Sequence, residues 1–188
     1  LDKYGNTHVL SATNNSHGAQ QEEFDGVNYL KFDSYLDKIS NNSYSGISAK
    51  DEFTRVSVFK VGNTNKTILG YDPSGYSTYF YGDTLYQRAN VSKSQNLYTN
   101  GANSYRNIPV VQVSRLDNTT NVKLNKLKAT LNGNSLAFIG GSGTLSSTDN
   151  TTGVTIGGWT SSSFAWNGLV GEVVHFDHLI SDELAGFI

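Results

Sequence analysis

Short segments in which apolar and polar residues alternate run along most of this chain, separated by turns rich in Gly, Asn, Asp and Ser. Alternation is typical of a β-strand with one face on the core, because successive side chains point to opposite faces. The clearest strand is predicted at 127–131, where apolar residues alternate with Lys128 and Thr130, and the following Asn132-Gly133 has the residue types of a type I′ turn. We expect strands near residues 8–11, 29–32, 54–61, 67–71, 77–81, 110–116, 127–131, 136–139, 154–157 and 169–176.

The longest apolar strand is expected at Gly168–Phe176. Strict alternation would place Leu169 and Val173 on one face and Val170 and Val174 on the other. Because both faces are apolar, this strand is expected to lie between two layers of the fold.

A short helix is predicted to follow this strand at the C-terminal end of the sequence. Ser181 has the hydroxyl group of an N-cap, and two carboxylates follow in the first turn, where the helix dipole favours them. The spacing of Leu184, Phe187 and Ile188 predicts that these three side chains pack inward.

One segment, residues 87–107, has no apolar periodicity and is rich in Asn, Ser and Tyr. It is predicted to be a long loop, and long loops in compact domains are often functional.

Three motifs carry a resemblance to a known superfamily. The GLVGEVVHF strand and the LISDEL helix start, EFDGVNYLKF at Glu23–Phe32 and LKATLNGNSL at Leu127–Leu136 resemble, in order and spacing, the laminin-G-like, concanavalin A-like superfamily. The resemblance covers roughly residues 23–188 and implies a jelly-roll β-sandwich. The chain departs from the pattern at Ala129, where the family usually has an aromatic residue, and at Asn28 and Tyr29, where the usual Asp is missing. The superfamily includes lectins, carbohydrate-binding modules, glycosidases, adhesion domains and phage fibre heads, so the resemblance specifies fold more than function.

Composition leads to the same fold class. The chain has 188 residues with 19 Gly, 11 Tyr, 9 Phe and only 16% charged residues, as expected for short strands joined by polar turns. We therefore expect an all-β protein, an antiparallel β-sandwich with a short C-terminal helix, and one domain over residues 1–188. Because the sequence starts at Leu1 without Met and stops within its predicted helix, we expect it to be a fragment of a longer protein.

Charge and cysteine content limit the classes of partner and chemistry. The net charge of −2 gives no electrostatic footprint for nucleic acid, and no apolar run is long enough for membrane insertion. The absence of cysteine excludes thiol catalysis and thiolate metal sites, and favours a bacterial or viral source.

Catalytic and metal-binding patterns are weak. A retaining glycosidase would need two carboxylates on one face of a strand, about 5 Å apart, whereas Glu172 stands alone in its predicted strand. The prediction is that this chain is not an enzyme and has no cofactor. Calcium binding stays open as an alternative, because loops rich in oxygen ligands occur at 72–75, 117–121 and 149–152, although none supplies two carboxylates alone.

Aromatic residues provide the candidate binding site. Tyrosines crowd the predicted hairpin around residues 76–86, and sugar rings bind to flat apolar faces flanked by hydrogen-bonding groups. Half-buried sheet residues are the alternative interpretation of these tyrosines. Trp159 lies among small polar residues, where it has little core to enter, whereas Trp166 is expected in the core. The candidate ligand-binding residues are Tyr76, Tyr79, Tyr81, Asp83, Arg88 and Trp159.

Together these features predict a non-catalytic domain, extracellular or on a virion surface, that recognises a surface glycan or a cell-surface receptor. A phage tail fibre head and a bacterial carbohydrate-binding module are both consistent with the composition. The alternative is a structural or assembly domain without a glycan site, and a homo-oligomer stays open.

Overall fold

A computed structural model gives the arrangement of the chain. It describes residues 11–12, 19–33, 37, 39–41, 52–62, 66–69, 77–89, 95–117, 127–137, 140–142, 154–157, 166–176 and 178–188.

Within these residues the chain is almost entirely β. The helical segments are a 3₁₀ turn at Ala102–Tyr105 and an α-helix at Asp182–Phe187. The strands are β1 Ser11–Ala12, β2 Gln20–Phe24, β3 Val27–Phe32, β4 Ile39–Asn41, β5 Glu52–Val61, β6 Lys66–Leu69, β7 Ser77–Tyr81, β8 Thr84–Ala89, β9 Gln95–Asn100, β10 Pro109–Asp117, β11 Leu127–Leu131, β12 Asn134–Ser135, β13 Gly140–Ser142, β14 Val154–Ile156 and β15 Gly168–Phe176.

The strands form three sheets. A seven-stranded sheet has the order β12-β11-β10-β5-β15-β3-β2, a five-stranded sheet has the order β13-β9-β8-β7-β6, and a three-stranded sheet has the order β1-β4-β14. Neighbouring strands are antiparallel throughout these sheets. The prediction of an antiparallel all-β fold with a short C-terminal helix is confirmed.

Tight turns with positive φ close the hairpins. Asn132 and Gly133 have φ angles of 48° and 75°, which confirms the predicted type I′ turn between β11 and β12. Asp25 and Gly26 repeat this geometry between β2 and β3, with φ angles of 52° and 75°. The β7–β8 turn places Gly82 at its first central position with φ of 56°, as a type II′ turn requires.

The apolar core lies where the seven- and five-stranded sheets face each other. Phe59 packs edge-on against Phe80, with ring centroids 6.1 Å apart, and against Trp166 at 5.3 Å. Trp166 is fully buried, which confirms its predicted place in the core. The buried members of this cluster are Phe32, Phe59, Val61, Phe80, Leu85, Ala102, Val110, Leu131, Ile156, Trp166 and Val170.

A second part of the interior is polar. The Oγ1 atom of Thr78 in β7 accepts a hydrogen bond from Arg55 Nη2 of β5 at 3.2 Å, and it lies 3.1 Å from Oε1 of Gln112 in β10. Gln87 of β8 is buried beside them, with its Oε1 atom 3.3 Å from Thr78 Oγ1. Hydrogen bonds between buried polar groups therefore join the two sheets in addition to apolar packing.

A β-bulge interrupts β15 between Val170 and Glu172. Gly171 is the extra residue, and a Cβ atom there would lie 2.8 Å from a ring carbon of Tyr29. The chain can pass this close to the Tyr29 ring only where the strand carries no side chain.

The bulge changes which residues of β15 share a face. Val170 and Val173 both pack against the apolar core cluster, whereas unbroken alternation would place them on opposite faces. The prediction that Leu169 and Val173 share a face is therefore wrong, because one extra residue reverses the alternation after Gly171.

The region predicted as a long loop is largely ordered as secondary structure. Strand β8 continues through Ala89, β9 spans Gln95–Asn100, and the 3₁₀ turn follows at Ala102–Tyr105. Of the strand predicted at 136–139, Leu136 and Ala137 lie outside any strand, and residues 138–139 are not among the described residues. The sequence of β9 has polar residues at positions of both faces, so it shows no apolar alternation from which a strand could be predicted. A strand can form without such alternation when it is paired with a neighbouring strand.

The start of the C-terminal helix agrees with the sequence. Ser181 Oγ accepts a hydrogen bond from the Leu184 amide at 3.1 Å, which confirms the predicted N-cap. Asp182 in the first turn forms an ion pair with Arg115 at 2.5 Å and lies 3.7 Å from Lys128 Nζ.

The packing face of this helix differs from the prediction. Leu184, Phe187 and Ile188 are 49%, 81% and 40% exposed, so the expectation that they pack inward is wrong. The helix instead contacts the seven-stranded sheet through Ala185, which packs with Ile180 and Val113. No helix in the described part of the chain is long and apolar enough to cross a membrane.

Candidate functional site

The outer surface of the five-stranded sheet carries several of the predicted site residues. Phe80 of β7 and Leu85 of β8 are fully buried toward the core, so the residues that alternate with them lie on the opposite surface. We call this surface the tyrosine face, and its residues are Tyr79, Tyr81, Thr84, Tyr86 and Asn100.

The rings of Tyr79 and Tyr86 are stacked across β7 and β8. The two residues are opposite each other in register, and their ring centroids lie 4.5 Å apart with an angle of only 3° between the ring planes. Each ring packs one flat side against the other ring, so the stacked pair holds both side chains in place on this surface. The stacking contributes about 1 kcal/mol of stability beyond that of the apolar area it buries.

Tyr81 is more accessible than Tyr79 and Tyr86. It lies at the end of β7 and is 49% exposed, whereas Tyr79 and Tyr86 are half-buried. A large, rigid and partly exposed ring costs little conformational entropy when a ligand packs on it.

Polar groups lie next to Tyr81. Thr84 is opposite Tyr81 in the β7–β8 register and opposite Asn100 in the β8–β9 register. The Thr84 Oγ1 atom lies 3.3 Å from Asn100 Oδ1, within hydrogen-bond distance. A ring beside a hydroxyl and an amide is the combination that can contact the apolar side of a sugar and its hydroxyl groups together.

Arg106, just after the 3₁₀ turn, holds the β7–β8 turn in place. Its Nη2 atom donates to the Gly82 carbonyl at 2.8 Å, and its Nη1 atom donates to the Gly62 carbonyl at 2.8 Å. Its Nε atom donates to Asn103 Oδ1 at 2.9 Å. Partial burial lowers the pKa of Arg106 and the nearby Asp83 carboxylate raises it, yet an arginine in a protein stays charged.

Asp83 is at the centre of the same turn. Its Oδ1 atom accepts a hydrogen bond from the Asn103 amide at 2.8 Å, and its backbone carbonyl accepts one from the Ala102 amide at 3.0 Å. The carboxylate that was predicted to contact a ligand thus also caps the 3₁₀ turn. Its role in ligand binding stays a prediction.

The other predicted site residues are placed only in part. Arg88 lies in β8 opposite Ser77, on the same strand as Tyr86. Tyr76 and Trp159 lie outside the described residues. The structure therefore brings Tyr79, Tyr81, Asp83 and Arg88 together on one hairpin.

Two members of the tyrosine face were absent from the predicted site. Thr84 could have been found by continuing the hairpin register through the Gly82 turn, which puts it opposite Tyr81. Asn100 gives no such signal, because its strand β9 lies in a segment without apolar periodicity, for which the sequence predicts a loop.

Metal ligands do not cluster in the described part of the chain, where no group of three His, Asp or Glu residues could hold an ion. The candidate calcium loops at 72–75 and 149–152 lie outside the described residues, and only Asp117 of the third loop is within them. Glu172 is exposed beside the β15 bulge.

Comparison with known proteins gives matches by structure only. No model of a known family matches the chain, and no curated protein matches its sequence. Among solved structures, the botulinum neurotoxin serotype D ligand-binding domain in complex with N-acetylneuraminic acid superposes with a TM-score of 0.70 at 14% identity, over 98% of this chain and 46% of that chain. The serotype C1 binding domain gives a TM-score of 0.64 at 16% identity, over 90% of this chain and 45% of that chain.

A third match is a structure of botulinum neurotoxin type C reported with the finding that its cell entry depends on interaction with two ganglioside molecules. It has a TM-score of 0.62 at 14% identity, over 90% of this chain and 43% of that chain. The present chain thus spans less than half of the length of these proteins. At such low identity the matches show that the β-rich fold is shared by known binding domains.

Proposed function

We propose that this chain is a non-catalytic domain that binds a glycan on the tyrosine face. The observation that carries the proposal is the partly exposed Tyr81 ring, supported by the stacked Tyr79–Tyr86 pair and flanked by the hydroxyl and amide groups of Thr84 and Asn100. Two of the similar structures are named for N-acetylneuraminic acid or ganglioside interaction, and this supports a glycan as the class of ligand.

The partner in this proposal is a glycan on a cell surface or a glycosylated receptor, reached from outside the cell. A phage tail fibre head and a bacterial carbohydrate-binding module remain the two proposed settings, within the laminin-G-like superfamily that the motifs resemble. Aromatic rings, hydroxyl groups and amide groups can contact a sugar without a metal ion, so we propose that binding needs no cofactor, with calcium as the open alternative.

A glycan array followed by titration of the best ligand tests the proposal. We expect Tyr81→Ala to weaken binding by about 1 to 3 kcal/mol, the effect of losing an aromatic anchor, with little change in melting temperature because the ring is half exposed. Phe187→Ala is the matched control, since Phe187 is an exposed aromatic residue on the C-terminal helix and should not alter affinity. Equal affinities of the Tyr81→Ala variant and the wild type would reject this face as the site.

A second candidate function is assembly, either with another copy of the chain or with a further part of its parent protein. The observation that favours it is the exposed apolar group Leu184, Phe187 and Ile188 on the C-terminal helix. Light scattering at several concentrations tests this candidate. A concentration-dependent mass that falls to that of a monomer in Phe187→Ser would support self-assembly, and a constant monomer mass would argue against it.

A further inference from the structure

The sequence contains three Asn-Gly pairs, and all three lie within the described residues. They are Asn100-Gly101 at the end of β9, Asn132-Gly133 in the β11–β12 turn and Asn167-Gly168 at the start of β15. Asparagine is one of the chemically labile residues of proteins. A glycine after it raises its reactivity, because a residue without a side chain leaves its backbone nitrogen accessible. The surroundings of each pair therefore determine which asparagine can react in the folded domain.

The Asn132 side chain is held by two hydrogen bonds to β10. Its Oδ1 atom accepts the Val111 amide at 2.8 Å, and its Nδ2 atom donates to the Pro109 carbonyl at 3.2 Å. Loss of the side-chain amide goes through a succinimide ring that contains the Cα and carbonyl carbon of the asparagine. At Asn132 this ring cannot form without changing the backbone of the type I′ turn and losing the bond to Pro109. We therefore expect Asn132 to be protected.

The Asn167-Gly168 pair is packed against β5. The Asn167 carbonyl accepts the Gly62 amide at 2.8 Å, and Gly168 has a φ of 144°. A Cβ atom on Gly168 would clash with the Lys60 carbonyl oxygen, so the two backbones are in direct contact here. Closing a succinimide ring would move this backbone and break the contact with β5. We therefore expect Asn167 to be protected as well.

The Asn100-Gly101 pair has more open surroundings. Asn100 is exposed, and its Oδ1 atom lies 3.3 Å from Thr84 Oγ1 in a contact that is itself exposed. Gly101 has a φ of 82° and a ψ of 14°, and a Cβ atom there would have no atom of the described residues within 4 Å. The backbone can therefore move at Gly101 without displacing these neighbours, and water can reach the Asn100 side chain.

We propose that Asn100 is a site of spontaneous modification, which loses its side-chain amide in the folded domain while Asn132 and Asn167 stay intact. The Gly101 nitrogen attacks Cγ of Asn100 and forms a new N–Cγ bond. The Cγ–Nδ2 bond breaks, and ammonia leaves with the proton of the Gly101 amide. One water molecule then opens the succinimide ring, which gives aspartate or isoaspartate in place of Asn100.

The modification changes the chemistry of the tyrosine face. The Asn100 amide has two hydrogen-bond donors, whereas a carboxylate only accepts hydrogen bonds and carries a negative charge. Isoaspartate also adds one carbon to the backbone at the end of β9. The consequence for a ligand rests on the proposed glycan-binding function, whereas the reaction at Asn100 does not.

Peptide mapping by mass spectrometry measures the reaction at each pair. One sample of the domain is kept folded in warm, mildly alkaline buffer, and a second is kept in the same buffer with enough urea to unfold it. Asn132 and Asn167 should react at least about tenfold more slowly in the folded domain than in urea, because they require local opening, whereas Asn100 should slow by less than about threefold. Equal rates at the three pairs in the folded domain, or faster loss at Asn132 or Asn167, would overturn the proposal.

A glycan titration of Asn100→Asp tests the consequence for binding. This variant should bind about fivefold more weakly than the wild type, as expected for the loss of one hydrogen-bond donor. Asn134→Asp is the matched control, because it makes the same change at an exposed position of the seven-stranded sheet and should leave the affinity unchanged. Circular dichroism confirms that both variants are folded.

The two experiments separate the modification from the proposed function. Equal affinities of Asn100→Asp and the wild type would overturn the consequence for binding, while preferential loss of the amide at Asn100 would still support the modification site. Failure of the wild-type domain to bind any glycan would overturn the proposed function, and the peptide map would still support or overturn the reaction at Asn100.

Discussion

Replacing Arg106 by Met should destabilise the domain more than any other removal of a single surface charge in the described part of the chain. Met keeps an apolar stem of similar length but donates no hydrogen bonds. The change removes the donors to the Gly62 and Gly82 carbonyls and to Asn103 Oδ1. The β7–β8 turn would then lose its link to the end of β5.

The size of the effect follows from these three contacts. The bonds to the Gly62 and Gly82 carbonyls are partly buried, and a hydrogen bond from a charged donor contributes about 1.5 kcal/mol at the low end of its range. The bond to Asn103 is exposed and adds a few tenths of a kcal/mol at most. The expected loss is about 3 kcal/mol, or a fall in melting temperature of about 6 to 12 °C for a chain of this length.

Urea unfolding followed by circular dichroism measures this loss. The midpoint should fall while the m-value is unchanged. Lys31→Met is the matched control, because it also removes one positive charge but only from exposed ion pairs with Glu22 at 3.3 Å and Asp33 at 3.8 Å, and it should cost less than about 1 kcal/mol. If Arg106→Met costs no more than Lys31→Met, the role given to Arg106 in holding the hairpin is wrong.

Three further changes give distinct expectations. Gly157→Ala should cost at least about 3 kcal/mol, because φ is +103° and a Cβ atom would lie 2.2 Å from a ring carbon of Phe32. Gly26→Ala is the control and should cost only about 1 kcal/mol, since φ is +75° and no atom lies within 4 Å of the added Cβ. Similar melting temperatures of the two variants would contradict this expectation. The hydrogen bond and the positive charge of Arg115 lower the pKa of Asp182 below its ordinary value. The stabilisation is therefore present above the unfolded-state pKa and is lost as the pH falls through the lower folded-state pKa. The stability difference between wild type and Asp182→Asn, below about 1 kcal/mol for so exposed a group, should therefore disappear in acid, and a difference that grows in acid would refute the assignment. Phe187→Ser should change the free energy of unfolding by less than about 0.5 kcal/mol, and a loss of several kcal/mol would show that this side chain is part of the core.

Local sequence rules predicted the features that depend on neighbouring residues. The Asn132-Gly133 turn, the Ser181 N-cap and the burial of Trp166 agree with the structure. For the turn and the N-cap the physical cause lies within a few residues, such as the tolerance of Asn and Gly for positive φ, whereas Trp166 is buried against Phe59 and Phe80, which are distant in the sequence.

Features that depend on distant packing were not predictable in the same way. The β15 bulge exists because Gly171 passes the ring of Tyr29, which belongs to another strand. A glycine inside a strand indicates that a bulge can form there, but the neighbouring sequence does not show which face of the sheet the following residues occupy.

The orientation of the C-terminal helix illustrates a similar limit. Its apolar spacing pointed to Leu184 and Phe187 as the packing residues, yet the small side chain of Ala185 makes the contact with the sheet. The Asp182 ion pair with Arg115 contributes to this orientation, and it joins residues that are far apart in the sequence.

The candidate site was predictable on one hairpin and no further. The tyrosines of β7 signalled it directly, and hairpin register would add Thr84. Asn100 could be assigned to the tyrosine face only if β9 were predicted, and the polar sequence of β9 has no apolar periodicity. The structure was therefore required to show that the tyrosine face extends to Asn100.

The most direct test of the central claim is to map the bound glycan by NMR on the labelled domain. Glycan binding at the tyrosine face predicts that backbone amide shifts change at Tyr81, Thr84 and Asn100 as ligand is added, while those of the C-terminal helix Asp182–Phe187 stay constant. Shift changes confined to the helix or to the seven-stranded sheet, with none on β7–β9, would contradict the claim.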